Sequence, residues 1–275
     1  MKILLISTEI WSRNNPEGIV TRKLCKGLLK YYSVDIVTTN KTDLVGINKE
    51  YIVDDNGSEF IEKLKKISIG IEKNRFTQNV IKLIKDKVID INDYDLLITR
   101  SEPFYIHNIG VFLKRNNYPI YWIASFGDPV FCNPYNSKSY IKKNYTKKTE
   151  KEIWHYADKI THTNSCALEV YEKNNFPIEK SYILPNTYEV SENEACNNFV
   201  YQDKKIDNFC YIGSLYGNRT PERLFDFLRK YDGNYKLTLI GAVRNVYWEN
   251  RFGIFNKFLM ARDLKKLKKT SRISI

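Results

Sequence analysis

The sequence predicts an α/β protein whose parallel sheet is covered by helices on both faces. Two features indicate this fold class: short apolar segments recur along the chain, and segments with helical spacing of apolar residues separate them. The apolar segments are continuous rather than alternating, which is typical of strands buried on both faces. The predicted strands are residues 2–7, 34–39, 94–99, 119–125, 159–163 and 180–185, followed by 208–213 and 236–241.

The first two strands and the segment between them predict how the sheet begins. Between these strands, apolar residues recur at helical spacing, at Ile19, Val20, Leu24, Leu28 and Tyr31. A strand, a helix and a second parallel strand make a right-handed crossover unit. The chain is therefore expected to begin as a Rossmann-like domain.

Length and composition favour two domains. The chain has 275 residues, a length that exceeds the usual size of a single domain. Of these residues, 43% are hydrophobic, which is enough to form cores. We predict domains at 1–186 and 208–275, joined by a polar connection at 187–207. The five cysteines are widely spaced and form no C-x-x-C pair, which predicts reduced core thiols in a cytoplasmic protein.

The positive charge of the chain is concentrated near its C-terminus. The net charge is +12, and residues 257–275 hold seven Lys or Arg against one Asp. An acidic partner is expected, and phosphorylated substrates, nucleic acid and an anionic membrane face are the alternatives. Because aromatic residues do not interleave with these cations, nucleic acid is the weakest alternative and is not expected as a partner. The apolar residues of this tail share no single helical face, which predicts a solvated end.

The first candidate site follows the first strand. In "STEIWSRNNPEGIVTRKL" the strand ends at Ser7, and the loop brings Pro16, Glu17 and Gly18 to a helix N-terminus. Free amides at such an end favour an anion or a sugar hydroxyl, and Gly18 would let a ligand approach the backbone. A plain helix-start glycine is the alternative. Since no G-x-G-x-x-G pattern is present, a dinucleotide cofactor is disfavoured.

The second candidate is Asp128, in "WIASFGDPVFCNPY" directly after the predicted strand at 119–125. It either caps the turn or binds substrate hydroxyl groups at the sheet edge, and its position favours the second role. His107, His155 and His162 are far apart, so we expect structural roles for them and no metal site.

The third candidate lies in the second domain, in "FCYIGSLYGNRTPERLFDFL". Thr220 suits the N-cap of a helix predicted to run to about Lys230, and Pro221 suits its first position. Arg219 directly precedes the cap, where a guanidinium can hold two phosphate oxygens. The alternative is a surface arginine paired with Glu222.

Several stretches, taken in order, carry a family resemblance. They are "NPEGIVTRKLCKGL", "LLITRSEPFYIHNIGVFLK", "PIYWIASFGDPVFCNPY", "EKEIWHYADKITHTNSCALEVYEKN", and "YILPNTYE" before "FCYIGSLYGNRTPERLFDFL". Together they resemble the GT-B glycosyltransferases of glycosyltransferase family 4, particularly bacterial enzymes of capsule, exopolysaccharide and lipopolysaccharide synthesis. The resemblance covers roughly residues 1 to 241.

The resemblance implies a retaining transfer of a sugar from a nucleotide diphosphate-sugar donor, in a cleft between two Rossmann-like domains. It implies no metal and no cofactor besides that donor, and a saccharide or lipid-linked acceptor. Arg219 would stabilise the leaving diphosphate, with Gly213, Ser214 and the amides near Thr220 completing the cradle. Gly18 would position the diphosphate or the acceptor. Asp128 would contact the transferred sugar, which makes Arg219 and Asp128 the predicted catalytic residues.

The chain departs from the family pattern in three places. Many members have two glycines where this chain has Glu17 and Gly18, and a second basic residue where it has Ser214. The family's loop with two glutamates has no counterpart, because Glu249 has no matching partner, and no strand is expected after residue 241. The second Rossmann-like domain is therefore expected to be incomplete.

The resulting expectation is a cytoplasmic glycosyltransferase of surface polysaccharide synthesis that works near the inner membrane face, with peripheral contact left open. The alternative is a truncated, catalytically inactive remnant or binding module.

Overall fold

The computed structural model divides the chain into two compact units. The described residues are 1–55, 74–133, 140–187, 207–213, 222–240 and 272–274. One unit comprises Met1–Cys196 and the other comprises Asn197–Ile275. Each unit contains its own sheet.

The first unit is built on a seven-stranded sheet with the order β3-β2-β1-β4-β5-β6-β7. All neighbouring strands pair in parallel, which confirms the predicted fold class. The strands are β1 (Lys2–Ile6), β2 (Ser33–Thr38), β3 (Lys49–Ile52), β4 (Leu96–Arg100), β5 (Tyr121–Ser125), β6 (Lys159–His162) and β7 (Ser181–Ile183). The sequence did not predict β3, because "KEYI" is a short edge strand with no fully buried residue.

Five helices within the described residues connect the strands of this unit. They are α1 (Pro16–Leu29), α2 (Arg75–Lys85), α3 (His107–Arg115), α4 (Tyr140–Tyr156) and α5 (Ser165–Glu172). Asparagine caps three of them: the side chains of Asn15, Asn74 and Asn164 accept a backbone N–H from the first turns of α1, α2 and α5. These caps satisfy amides that a helix leaves unpaired at its start, and so they fix where each helix begins.

The two faces of the sheet bury separate apolar clusters. Ile3 and Leu5 of β1 pack with Cys25 of α1 on one face. Leu4 and Ile6 belong to the larger cluster on the other face, to which α2, α3, α4 and α5 contribute. Because successive side chains of a strand point to opposite faces, burial on both sides explains the continuous apolar runs in the sequence.

Two histidines belong to the larger core. The His162 ring stacks on Phe126 and on Trp154, with centroid separations of 5.6 and 5.5 Å. His107 lies against Phe126, with centroids 4.4 Å apart. Burial lowers the pKa of His107 to about 3 and the pKa of His162 to about 4. Both rings are therefore neutral at pH 7 and pack as aromatic groups, in agreement with the predicted structural role.

A buried carboxylate fixes the loop that follows β5. Glu150 of α4 is fully buried. Its Oε1 accepts hydrogen bonds from the Val130 backbone N–H at 3.1 Å and the Tyr171 hydroxyl at 2.7 Å. Its Oε2 accepts one from the Phe131 backbone N–H at 2.9 Å. The loop that carries Asp128 is thus tied from behind to helices α4 and α5.

The second unit contains a three-stranded parallel sheet with the order β10-β9-β8. Its elements within the described residues are β8 (Asp207–Ile212), α6 (Glu222–Lys230), β9 (Tyr235–Ile240) and β10 (Arg272–Ser274). The first three match the predicted strand, helix and strand, whereas β10 corrects the expectation that no strand follows residue 241. Leu228, Tyr235 and Leu237 form the buried cluster of this unit.

The cysteines are less buried than predicted. In the described residues, Cys25 is buried, Cys132 is partly buried, and Cys166 and Cys210 are exposed, all as free thiols. The expectation of core thiols is therefore right for Cys25 and wrong for Cys166 and Cys210, which lie on the outer surface of their elements. No helix within the described ranges is long and apolar enough to cross a membrane.

Two helical glycines make a matched pair for a test of core packing. A Cβ atom on Gly110 in α3 would lie 2.0 Å from Cε2 of Trp122, whereas one on Gly27 in α1 would meet nothing within 4 Å. We expect Gly110→Ala to lower the free energy of unfolding by about 1–3 kcal/mol, because the buried Trp122 ring must move. Gly27→Ala is expected to raise it by about 0.5–1 kcal/mol, because alanine favours the helix. Urea unfolding measures both changes, and equal midpoints for the two variants would contradict this packing.

Two glutamates of α4 make a second matched pair. Glu150→Ala is expected to lower the free energy of unfolding by about 3 kcal/mol, because buried donors lose their acceptor. Glu152 lies on the same helix, and its partly exposed side chain pairs with Arg115 at 3.0 Å. Glu152→Ala should therefore cost less than about 1 kcal/mol. Thermal and urea unfolding of both variants gives the comparison, and an equal loss in the two would show that Glu150 does not hold the loop.

Candidate functional site

The candidate site lies at the carboxyl ends of β1 and β4. β1 lies between β2 and β4 in the sheet, and the connection leaving β1 leads to β2 while the one leaving β4 leads to β5. The two connections therefore diverge, and in open α/β sheets such a switch point leaves a crevice that binds ligands. Residues 7–15 after β1 and 101–103 after β4 border this crevice.

A row of polar side chains lies at or near the carboxyl ends of three neighbouring strands. Arg100 of β4 is in register with Ser125 of β5, which is in register with Thr161 of β6. Arg100 Nη1 donates a hydrogen bond to Ser125 Oγ at 2.9 Å, and the Thr161 hydroxyl donates to the same oxygen at 2.8 Å. Arg100 is only 3% exposed. The strand ends therefore hold its guanidinium in a fixed position.

Glu17, at the start of α1, supplies the opposing charge. Its Oε2 lies 3.6 Å from Nη2 of Arg100, and its side chain is 25% exposed. The pKa of the Glu17 carboxyl is raised, chiefly by burial and also by the Asp128 carboxylate, although the Arg100 guanidinium and a backbone hydrogen bond from Glu102 lower it. Space for this side chain depends on Gly127, where an added Cβ would lie 2.8 Å from Oε1 of Glu17.

Gly18 is buried where α1 meets the loop that precedes it. A Cβ atom at this position would lie 2.4 Å from the Ser12 carbonyl oxygen and 2.5 Å from that of Glu9. Glycine is therefore required for the loop to pack against the helix, which is a reason in addition to ligand approach. The predicted contact of Gly18 with a diphosphate or acceptor stays a prediction.

Asp128 lies exposed at the same edge, in the loop after β5. Its carboxylate interacts electrostatically with both Glu17 and Arg100. The structure therefore brings Asp128 close to the helix start that contains Gly18, although the two are far apart in the sequence. The predicted contact of Asp128 with a transferred sugar stays a prediction. No cluster of metal-ligating side chains occurs among the residues that the structure describes.

Several buried polar atoms around the crevice have no hydrogen-bond partner within the described part of the chain. They are Ser7 Oγ, Thr8 Oγ1, Glu17 Oε2 and Arg100 Nε. Buried polar atoms without a partner are uncommon in folded proteins, and each one requires an explanation. An ordered water or a bound ligand would supply the missing partners.

The remaining predicted site residues belong to the second unit. Gly213 ends β8 with a φ angle of +151°, a conformation that residues with a side chain rarely adopt. Ser214, Arg219 and Thr220 lie outside the described residues. Their predicted roles at the diphosphate stay predictions.

The sequence does not indicate that Glu17 and Arg100 pair. It places Glu17 at a helix start and marks it as a departure from a glycine pattern, and it gives Arg100 no predicted role. One signal was present: Arg100 is a charged residue at the end of the buried run "YDLLIT". A charge at the carboxyl end of a central parallel strand points toward the ligand edge of the sheet.

Comparison with known proteins identifies the fold. No known protein family matches the sequence, and no curated protein matches it. Anabaena Alr3699/HepE in complex with UDP-glucose superimposes with a TM-score of 0.57 at 10% identity, over 100% of this chain and 68% of that chain. The lipopolysaccharide outer core galactosyltransferase WaaB gives 0.61 at 14% identity, over 99% and 67%. An E. coli trehalose-6-phosphate protein bound with UDP-2-fluoro glucose gives 0.59 at 10% identity, over 99% and 73%.

These neighbours are GT-B glycosyltransferases, and the likeness to them is one of fold. The narrower resemblance to glycosyltransferase family 4 stays a prediction. The described part of the chain combines a complete parallel sheet in its first unit with a smaller sheet of the same parallel type in its second. The chain therefore has the GT-B fold, with a Rossmann-like first unit and a smaller second α/β unit.

Proposed function

We propose that the protein transfers a sugar from a nucleotide diphosphate-sugar to a saccharide or lipid-linked acceptor. The observation that carries this proposal is the polar crevice at the switch point of a GT-B sheet, where Arg100, Glu17 and Asp128 come together. Fold neighbours that were solved with UDP-glucose or UDP-2-fluoro glucose support a donor of this class. No cofactor besides the donor is part of the proposal.

The proposed chemistry is a transfer with retention of anomeric configuration. Negative charge grows on the leaving diphosphate as the bond from sugar to phosphate breaks, and a fixed cation with oriented amides lowers that barrier. Arg219 supplies the cation in this proposal, and Gly213, Ser214 and the amides near Thr220 supply the rest of the cradle. Asp128 accepts a hydrogen bond from the transferred sugar, and the loop before Gly18 positions the reacting groups.

The biological setting proposed is surface polysaccharide synthesis in the cytoplasm, with peripheral contact at the inner membrane face. The contact surface is a groove between α3 and α4, with a cavity volume of about 610 Å³. Its cations are Arg115, Lys147, Lys148 and Lys151, opposed within the lining by Glu152. A surface with this excess of positive charge is attracted to anionic lipid headgroups. Such contact would keep the enzyme near a lipid-linked acceptor.

The alternative function is a binding module or inactive remnant without transfer activity. A protein with this function would also use the crevice of the first unit, but it would not turn over the donor. Nucleotide release from a sugar donor therefore separates the two functions.

Donor turnover is the first test. Purified protein supplied with UDP-, GDP-, ADP- and dTDP-sugars should release nucleotide from at least one of them, measured by a coupled phosphatase assay. Arg219→Ala is expected to lower kcat/KM by about 10²–10³-fold, because the leaving diphosphate loses its cation. Arg223→Ala, which removes an exposed arginine of α6, is the control and should leave the rate within about twofold. Absence of release with every donor would favour the binding module.

Vesicle binding tests the membrane contact. The chain should sediment with vesicles that contain phosphatidylglycerol and not with vesicles of phosphatidylcholine alone. Lys148→Glu with Lys151→Glu should weaken this binding at least about tenfold, because each cation near an anionic surface contributes about 1 kcal/mol. The control is Lys82→Glu with Lys85→Glu on α2, which makes the same change in charge on another exposed surface. Equal loss in the two double variants would show that the α3–α4 groove is not the contact surface.

A further inference from the structure

The groove between α3 and α4 has the size and the charge of a binding site for an anion. Its volume of about 610 Å³ lies within the range of about 300–1,000 Å³ that is typical of small-molecule sites. Arg115 lines it from the end of α3, and Lys148 and Lys151 line it from α4. All three residues are exposed. A ligand in the groove can therefore meet cations from two helices at once.

The guanidinium of Arg115 is oriented by two neighbours. Its Nη2 lies 3.0 Å from Oε1 of Glu152, and its Cζ lies 5.6 Å from the centre of the Tyr156 ring. The side chain nevertheless stays 50% exposed. Because a guanidinium has several N–H donors in a planar fork, this ion pair leaves donors for a second anion. The fork is thus positioned before a ligand arrives.

The lysines of α4 repel one another. Lys147 and Lys151 are four residues apart on the helix, and Lys148 and Lys151 are three apart. Like charges at these spacings destabilise a helix. Among the described lining residues Glu152 is the single carboxylate, and Arg115 already pairs with it. An anion bound in the groove would relieve the repulsion.

Uncharged hydrogen-bond donors complete the lining. Asn144 contributes an amide and Tyr156 a hydroxyl group. Attraction to a charged surface needs cations alone, whereas cations together with neutral donors match a group with many acceptor oxygens. A terminal phosphate offers about three strong acceptor oxygens and up to about two negative charges near pH 7. The phosphodiester of a common phospholipid offers fewer of both.

We propose that the α3–α4 groove is a specific site for a terminal phosphate or diphosphate group, and that a membrane lipid supplies this group. Arg115 and the lysines of α4 bind the charged oxygens, and Asn144 and Tyr156 donate further hydrogen bonds. The site rests on the proposed membrane contact, to which it adds the chemical class of the headgroup.

Vesicles of matched surface charge test the headgroup preference of the full chain. One set contains phosphatidic acid, which has a terminal phosphate, and the other contains phosphatidylglycerol, which has a phosphodiester. The content of each lipid is adjusted until the two sets have the same zeta potential, and sedimentation gives the affinities. Binding to phosphatidic acid is expected to be about tenfold tighter, because only a terminal phosphate uses all the donors of the groove.

Free inorganic diphosphate tests the same chemistry without a membrane. Isothermal titration of the full chain should give a dissociation constant below about 1 mM. The proposed donor site in the second unit also takes a diphosphate, so Arg219→Ala is titrated in parallel. Binding that Arg115→Lys weakens about tenfold and Arg219→Ala leaves in place belongs to the groove.

Arg115→Lys separates a specific site from attraction by charge alone. It keeps the charge and removes the fork of donors, so the preference for phosphatidic acid should fall to about twofold or less. Binding to phosphatidylglycerol should change by no more than about twofold, because the charge is kept. Lys148→Gln should weaken diphosphate binding several-fold. Lys82→Gln removes the same charge from an exposed residue of α2 and is the control, for which no change is expected.

The outcomes decide both the site and the source of its ligand. A preference for phosphatidic acid that Arg115→Lys removes supports the site and the lipid source, with or without binding of free diphosphate. Diphosphate binding that depends on Arg115, without a lipid preference, would keep the site and exclude the lipid as its source. The site is overturned if Arg115→Lys keeps the full lipid preference, or if neither a lipid preference nor Arg115-dependent diphosphate binding is found.

These outcomes are distinguishable from failure of the proposed function. Absence of donor turnover would defeat the transferase and leave the headgroup preference standing. Equal, Arg115-independent binding to the two kinds of vesicle would leave a general membrane contact and defeat the specific site alone.

Discussion

The buried guanidinium of Arg100 is the constraint on which the edge of the first sheet depends. A charge that is 3% exposed requires an opposing charge and hydrogen-bond acceptors, because an unpaired buried ion is strongly destabilising. Strand register brings Ser125 and Thr161 alongside it, and the start of α1 brings Glu17. The ends of β4, β5 and β6 and the N-terminus of α1 are thus fixed by one side chain. This fixed geometry is what a ligand crevice requires.

Behind this charged edge, the interior of the same unit is kept neutral. Burial, with a contribution from Arg100, lowers the pKa of His107, and the ring packs uncharged beside Phe126. Two fully buried carboxylates of the described residues are exceptions. Glu150 accepts backbone N–H groups and the Tyr171 hydroxyl. Asp35 accepts hydrogen bonds from Asn48 and Tyr94. Hydrogen bonds to a carboxylate compensate for its burial. The Glu150 carboxylate thus holds the loop that carries Asp128.

The sequence predicted the fold class and most strands, because a strand buried on both faces must be continuously apolar. The edge strand β3 escaped prediction since "KEYI" has no fully buried residue, and β10 lies in a basic segment without an apolar run. Turn and helix-start chemistry indicated Asp128 and Gly18, whose contacts with a ligand stay predictions. The Glu17–Arg100 pair was not recognisable from the sequence, because it joins two segments that meet only after the sheet has assembled. Local patterns carry no information about such a meeting.

Gly127 lies against the Glu17 carboxylate, so the side chains at these two positions constrain each other. The space that a Cβ at position 127 would occupy is already filled by the Glu17 carboxylate. A larger residue at 127 therefore moves the Glu17 carboxylate, the end of a flexible side chain, away from its position beside Arg100. The two positions are expected to vary together in homologous chains, and a homologue with a residue larger than glycine at 127 should have lost the Arg100 counter-ion as well.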